Sequence, residues 1–585
     1  MGAVAPTGLP RRRRPLHDPP MQMAPHGKRR LSRALLLLAA LAASGAVVGG
    51  GARAQTRDTL TIGLSQATGT FHPNIESMAA KSYILGFARR PLTGHGPDWR
   101  PLCFACESVP TIENGGVVLE TTPDGKPGLR VTWRLREDLR WGDGRPVTAD
   151  DMRFAWEAGR AFETGFGGAE FYRSAYEFLS DGPRSVTLRM DKVSFDAGSA
   201  GGFEPLPAHI ERPIWEADRR NYRSRTAYDT DTTNPALWNG PYRVTAVQPG
   251  AGVTLERNEA WAGPAPAFRR VNIRVVENSA ALEAQLLAGQ IDMVAGELGF
   301  SLDQAIALER RSRGRFRFAY HPGLVWEHLD LRLDNPVLAD VRVRQALMMA
   351  IDRPKIIASL FDNRQPVAAT AIHPDDPMLD RSLAPWPFDP APAAALLDEA
   401  GWRAGPDGIR RNADGARLSV DLQTTAGNRS RETVLQVIQG MWRAAGVEAR
   451  IANQPPRVLF GETLSQRRFQ GAVLFAWISS PENVPRSTLH SEEIPTAERN
   501  WSGQNYPGYR NPEMDALLEA LPQELDAEKR RPLWARLQAI THRDLPAIPL
   551  WHRADAHVWP QWLDGIRPTG NMSPSSLWVT DWRVR

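Results

Sequence analysis

From Asp58 onward, apolar and polar positions divide the chain into an interleaved series of strands and helices. Thr59-Leu-Thr-Ile-Gly-Leu64 alternates and predicts a first strand; Leu129 to Trp133 and Val271 to Val276 predict two more. Thr148, with Asp151 three positions on, has the spacing of a reciprocal helix cap, and Met152, Phe154, Ala155 and Ala158 supply that helix with a buried face. Ser279 starts a further helix that Gly289 stops. Asp340 then caps a helix carrying Val343, Ala346, Leu347, Ala350 and Ile351 at helical spacing. Asp389-Pro390 opens another over Leu396, Leu397 and Ala400, ended by Gly401, and Val434, Val437, Ile438 and Met441 mark a longer one ended near Gly446. A strand over Val447 to Ile451, a buried strand at Val473 to Ala476, a helix from Asp526 towards His542 and an apolar run from Leu545 to Leu550 complete the pattern. Mixed strand and helix throughout predicts α/β lobes.

The first fifty-odd residues break this pattern. Lys28, Arg29, Arg30 and Arg33 precede a charge-free apolar run from Leu35 to Val48, and Ala52-Arg53-Ala54 has the small-x-small form of a cleavage site. This is the layout of a secretory signal with an N-terminal extension over residues 1–54, cleaved after Ala54. The run is short of the roughly 20 apolar residues that a membrane span needs. Removing the segment also changes the charge. It holds nine basic side chains and one acid, so its +8, taken from the whole chain's +5, leaves −3. The high isoelectric point thus belongs to the leader, and nucleic-acid binding is not expected. No cysteine follows the small residues to carry a lipid anchor, so retention in a periplasm is expected; the protein is also expected to be a monomer. The two cysteines, Cys103 and Cys106, are a candidate local disulfide in such a compartment, with free thiols as the alternative. Pro110 argues against the long helix at whose N-terminus a redox cysteine would sit.

Catalytic chemistry finds no residues to carry it. There is no G-x-S-x-G elbow, H-E-x-x-H pair, Walker loop or dinucleotide fingerprint. His490, Glu492 and Glu493 are close in sequence but do not share a helix face. No catalytic residue, metal ligand or cofactor is predicted. Binding has better candidates. Trp477 stands where a buried strand breaks into the proline-punctuated loop ISSPENVP, and Trp501 lies in the polar loop NWSGQNY. Loops at strand ends are where binding residues concentrate.

Four stretches carry a resemblance: LREDLRWGDGRPVTADDMRFAWE (Leu135 to Glu157), NGPYRV (Asn239 to Val244), DVRVRQALMMAID (Asp340 to Asp352) and FDPAPAAALLDEAGW (Phe388 to Trp402). Each reads as scaffold. In this order the chain resembles the extracytoplasmic solute-binding proteins of peptide-type ABC importers, the dipeptide, oligopeptide and nickel binding family. The resemblance implies a two-lobed periplasmic binding protein fold (type II, the large three-subdomain variant) with the ligand in an interlobe cleft. It divides the chain into a first lobe from residues 57–98, 239–320 and 547–585, an inserted subdomain over 99–238, and a second lobe over 321–546. It also implies a short peptide or other small solute as ligand and an inner-membrane ABC permease with its ATPase as partner. Peptide-binding members often place an aspartate three residues after a tryptophan, where it holds the ligand's ammonium; here these positions are Trp477 and Ser480, and Glu482 is the nearest acid, either turned inward or solvated. Phe71, in Phe71-His72-Pro73, and Tyr83 are candidate cleft residues on the entrance side. A ligand-presenting sensory protein or chaperone on the same fold is the alternative to transport, and a secreted enzyme on it lacks a coupled nucleophile and base. A neighbouring permease gene would favour transport and a neighbouring sensor kinase gene signalling.

Overall fold

Two strands far longer than the local pattern marks tie the molecule together: a 16-residue strand over Phe316–Leu331 and a 14-residue strand over Ala547–Pro560. In this computed structural model residues 57–199, 202–481 and 483–585 are described. The secretory segment, with its site after Ala54, and Glu482 lie outside the described residues.

The main sheet has ten strands. In chain order they are β1 (Thr59–Leu64), β2 (Tyr242–Gln248), β3 (Gly252–Arg257), β4 (Arg270–Val275), β5 (Met293–Val294), β6 (Phe316–Leu331), β7 (Ser419–Gln423), β8 (Glu448–Ile451), β9 (Ala472–Ile478) and β10 (Ala547–Pro560). Their spatial order is β8-β7-β9-β6-β10-β5-β1-β4-β3-β2. β6 and β10 form its antiparallel middle. On one side β1 runs parallel to β4 and β5; on the other β7 runs parallel to β8 and β9. A separate antiparallel sheet of four strands lies within residues 117–190.

The apolar interior follows this division. One core gathers Leu60, Ile62, Trp133, Trp141, Leu255 and Ile273 around β1 to β4 and the four-stranded sheet. Another gathers Leu329, Leu347, Val420, Ile438, Trp442 and Ile548 around β6 to β10. β6 and β10 pass from one region to the other, since Leu329 and Ile548 belong to the second core while Phe316 and Val558 pack with Leu282 and Leu286. Between these ends the ladder breaks. Pro322 pairs with Ala554 and Trp326 with His552, so three residues of β6 face one of β10. A bulge of this kind bends a strand and leaves residues unpaired. At Gly323 inside it, an added Cβ would come within 2.4 Å of Asp555 Oδ2.

Three of the four motif stretches are structural for reasons visible residue by residue. Thr148 and Asp151 form the reciprocal cap of the helix Ala149–Arg160. The buried Asp151 carboxylate also accepts from the Ala208 amide (2.9 Å) and Trp141 Nε1 (3.2 Å). Asn239 both accepts from the Arg90 amide (2.9 Å) and donates to its carbonyl (3.2 Å). The neighbouring Gly240 lies so close to the backbone of Ala88 and Arg89 that a Cβ would fall 2.5 Å from the Ala88 carbonyl carbon. Asp340 caps the helix Val341–Met349 through the Arg342 amide, and Arg344 from the next turn ties it to the Asp544 carbonyl.

Cys103 and Cys106 are joined in a disulfide with Cα atoms 5.0 Å apart. Because the loop it closes is so short, reducing it is expected to cost about 2 kcal/mol or less. Urea unfolding with and without dithiothreitol measures this; a larger loss would mean that the bridge orders more than its own turn.

Candidate functional site

Where β6, β9 and β10 lie side by side, a cavity of about 210 Å³ opens beside the loop that leaves β9. Its floor comes from alternate residues of β6. Trp326, His328 and Asp330 share one face of this strand, as a period of two requires. Glu327, Leu329 and Leu331 take the other, where both leucines enter the core and Glu327 makes a bidentate pair with Arg431 at 3.0 Å to each oxygen. Trp326 and Asp330 line the cavity, and His328 lies between them, stacked on the Trp326 ring at 4.2 Å.

Trp477 is the cross-strand partner of Trp326. Its half-buried ring lines the cavity, stacks on Tyr506 (5.8 Å, 26°) and meets the edge of Phe475 (5.3 Å). The loop after it is held down at once, because both the amide and the hydroxyl of Ser479 donate to the Leu324 carbonyl, at 2.8 and 3.0 Å. Ser480 lines the same cavity and also a neighbouring one of about 430 Å³. That second cavity is walled on its far side by Lys81, Arg89 and Glu204. These charges are already engaged. Lys81 donates to the carbonyls of His72 (2.8 Å), Pro73 (3.0 Å), Ile75 (2.6 Å) and Glu76, and burial lowers its pKa to about 8. Arg89 pairs with Glu204 at 2.6 Å.

Trp99 closes the cavity from an earlier part of the chain. Trp99, 1% exposed and with φ at +62°, donates from Nε1 to the Thr569 carbonyl (3.2 Å) and stacks face to face on His373 (4.0 Å, 16°). His373 Nδ1 accepts from the Asp375 amide at 3.1 Å, which leaves Nε2 to donate to the Pro322 carbonyl at 3.2 Å, beside the β6 bulge. Burial pushes the His373 imidazole down to about 3, and His552, whose ring centroid lies 5.5 Å away, down to about 4. Elsewhere, the Phe195 amide donates to the Pro522 carbonyl at 2.9 Å and joins two segments far apart in the chain.

Of the residues singled out from the sequence, the structure brings Trp477 and Ser480 to this cavity. Phe71 and Tyr83 lie in the first core, 7% and 0% exposed, and are not among the lining residues; Tyr83 packs its ring against Phe87 at 5.7 Å. Trp501 is 37% exposed on its loop and is likewise not in the wall. Trp99, Trp326, Asp330 and His373 escaped the sequence reading. The alternation of Trp326, His328 and Asp330 was the one available signal, and it lay in a stretch that pattern did not mark as a strand. Among the described residues no three His, Cys, Asp or Glu side chains group to hold a metal ion, and no helix is long and apolar enough to cross a membrane.

Two apolar cores joined by the paired strands β6 and β10, with a cavity beside that pair, fit the architecture of a two-lobed binding protein. Residues 120–494 match the family described as bacterial extracellular solute-binding proteins, family 5 (middle region). The chain belongs to that family. It is 22% identical over 523 residues to the oligopeptide-binding protein OppA of Bacillus subtilis, covering 87% of this chain and 90% of that one. Among solved structures it is similar to an oligopeptide-binding protein from Thermus thermophilus complexed with a pentapeptide (28% identity, TM-score 0.62, 90% of this chain and 96% of that one). It also shares its fold with NikZ from Campylobacter jejuni in complex with Ni(L-His) (20% identity, TM-score 0.65, 90% and 99%).

Proposed function

We propose that this chain is a periplasmic receptor that encloses a peptide or peptide-like solute between its lobes and delivers it to an inner-membrane ABC permease. The first lobe would combine residues 57–98, 239–320 and 547–585, with 99–238 inserted, and the second would span 321–546. The observation that carries the reading is the cavity beside the Trp477–Ser480 loop, faced from the other lobe by Trp99. Aromatic shelves with a few polar groups suit an extended ligand whose main chain is held and whose side chains vary. β6 and β10 would form the crossing about which the lobes close, with the bulge in β6 as the bend.

Native mass spectrometry of the exported protein tests this by identifying retained solute. A ligand that binds only the closed native state should stabilise it by about 2.7 kcal/mol at a hundredfold excess over Kd. Trp477→Ala should weaken that ligand by about 2 kcal/mol or more, as loss of a central aromatic anchor does. If no solute is retained and no short peptide shifts the melting temperature, the proposal fails.

A further inference from the structure

Asp330 is 3% exposed, lines the cavity, and its Oδ2 has no hydrogen-bond partner. Within 4.0 Å its one ionic neighbour among the described residues is His328, whose Nε2 stands 3.3 Å from the other oxygen, Oδ1, yet makes no hydrogen bond. That imidazole is held from its far side, where Nδ1 is 3.3 Å from the Trp326 carbonyl, and it is clamped between the Trp326 ring and the edge of Phe475. It therefore cannot swing to serve Oδ2. The carboxylate's charge is felt nearby: after burial, it is what raises the Tyr506 phenol. A buried carboxylate oxygen without a donor costs several kcal/mol unless something meets it. The surroundings suit a cation, since Trp326 and Trp477 line the same cavity and aromatic faces attract desolvated cations.

We infer that Asp330 is the cation-recognising residue of this cavity, and that the solute carries an ammonium or guanidinium group that pairs with Oδ2 between the lobes. This deepens the proposed function and rests on the cavity being the solute site. It also moves the anionic contact from the loop, where Ser480 offers no countercharge, to the strand beneath it. A peptide's amino terminus and a basic side chain both supply such a cation, and the two are the same chemistry at Oδ2.

The test is calorimetry on the purified full-length exported protein with two matched probe pairs. The first pair is tetra-alanine and its N-acetyl form; the second is N-acetyl tetrapeptides that differ only in lysine or norleucine at one position. In at least one pair the cationic member should bind roughly tenfold more tightly or better, as expected when a buried carboxylate is paired. The pair that discriminates tells terminus from side chain. Asp330→Asn should erase the difference, and Asp330→Glu should retain it. Neutral and cationic members binding alike to the unaltered protein would overturn the inference and leave the proposed function standing. If no probe binds, the inference falls, and the proposed function falls with it only if native mass spectrometry also finds no retained solute. The comparison on the unaltered protein decides the matter even if Asp330→Asn does not fold.

Discussion

Trp99→Ala is expected to lower the unfolding free energy by about 3–5 kcal/mol, the usual cost of deleting a buried indole. The ring is 1% exposed, and its contacts belong to both sides of the cleft: Nε1 to Thr569 and the face of the ring to His373. Alanine would lose the packing, leave the Thr569 carbonyl without its donor and expose one face of His373. It would also keep the strained positive φ, which favours glycine. Trp99→Phe preserves stacking and should recover more than half of the loss. Urea unfolding gives the stability, and small-angle scattering shows whether the lobes part. A loss below about 1 kcal/mol with unchanged scattering would show that the stacking contributes little to lobe contact.

Acid should open the same contact. His373 and His552 titrate near 6.5 when unfolded, but at about 3 and about 4 in the folded protein. Below pH 6.5 the unfolded chain therefore binds more protons, and stability falls as pH falls. The contribution is fully present above pH 6.5 and is lost towards the folded values, on the order of 3 kcal/mol for each histidine at pH 4. Asp555 acts with the opposite sign. Burial first, then the charge of Glu297, raise its carboxyl to about 7, against the opposing charge of Arg553, so its effect weakens the fold as pH rises from about 4 to about 7. Part of the acid loss is thereby masked. Asp555→Asn should steepen the fall between pH 7 and pH 4, and His373→Phe should flatten it. Denaturant titrations at a series of pH values test both; identical curves for the unaltered protein and the two variants would remove these groups as the cause.

Local chemistry made much of the scaffold legible. Caps and alternation need only near neighbours in sequence, so the helix at Ala149–Arg160, the strand at Thr59–Leu64 and the cap at Asp340 follow from the residues themselves. The proline-punctuated loop that follows β9 at Ile478 was equally local, which is why Trp477 was singled out, and the structure puts that residue beside the cavity. Phe71 and Tyr83 show where such reasoning stops. An aromatic side chain after a first strand suits a cleft wall and a core equally well, and here the packing of helix Ala79–Ala88 against the C-terminal segment, with Ser576 donating to the Tyr83 carbonyl at 2.6 Å, takes Tyr83 inside.

The sequence alone determined an exported α/β chain without visible catalytic residues, and its order of motifs implied the family and its two lobes. Only the tertiary structure decided which side chains meet at the cavity. Asp330 joins Trp477 because β6 and β9 pair in one register, and a slip of one residue would have turned it into the core. Trp99 meets His373 because two segments far apart in the chain are brought together by lobe packing. Pairing register and lobe contact are sums over many distant residues, and no local pattern records them.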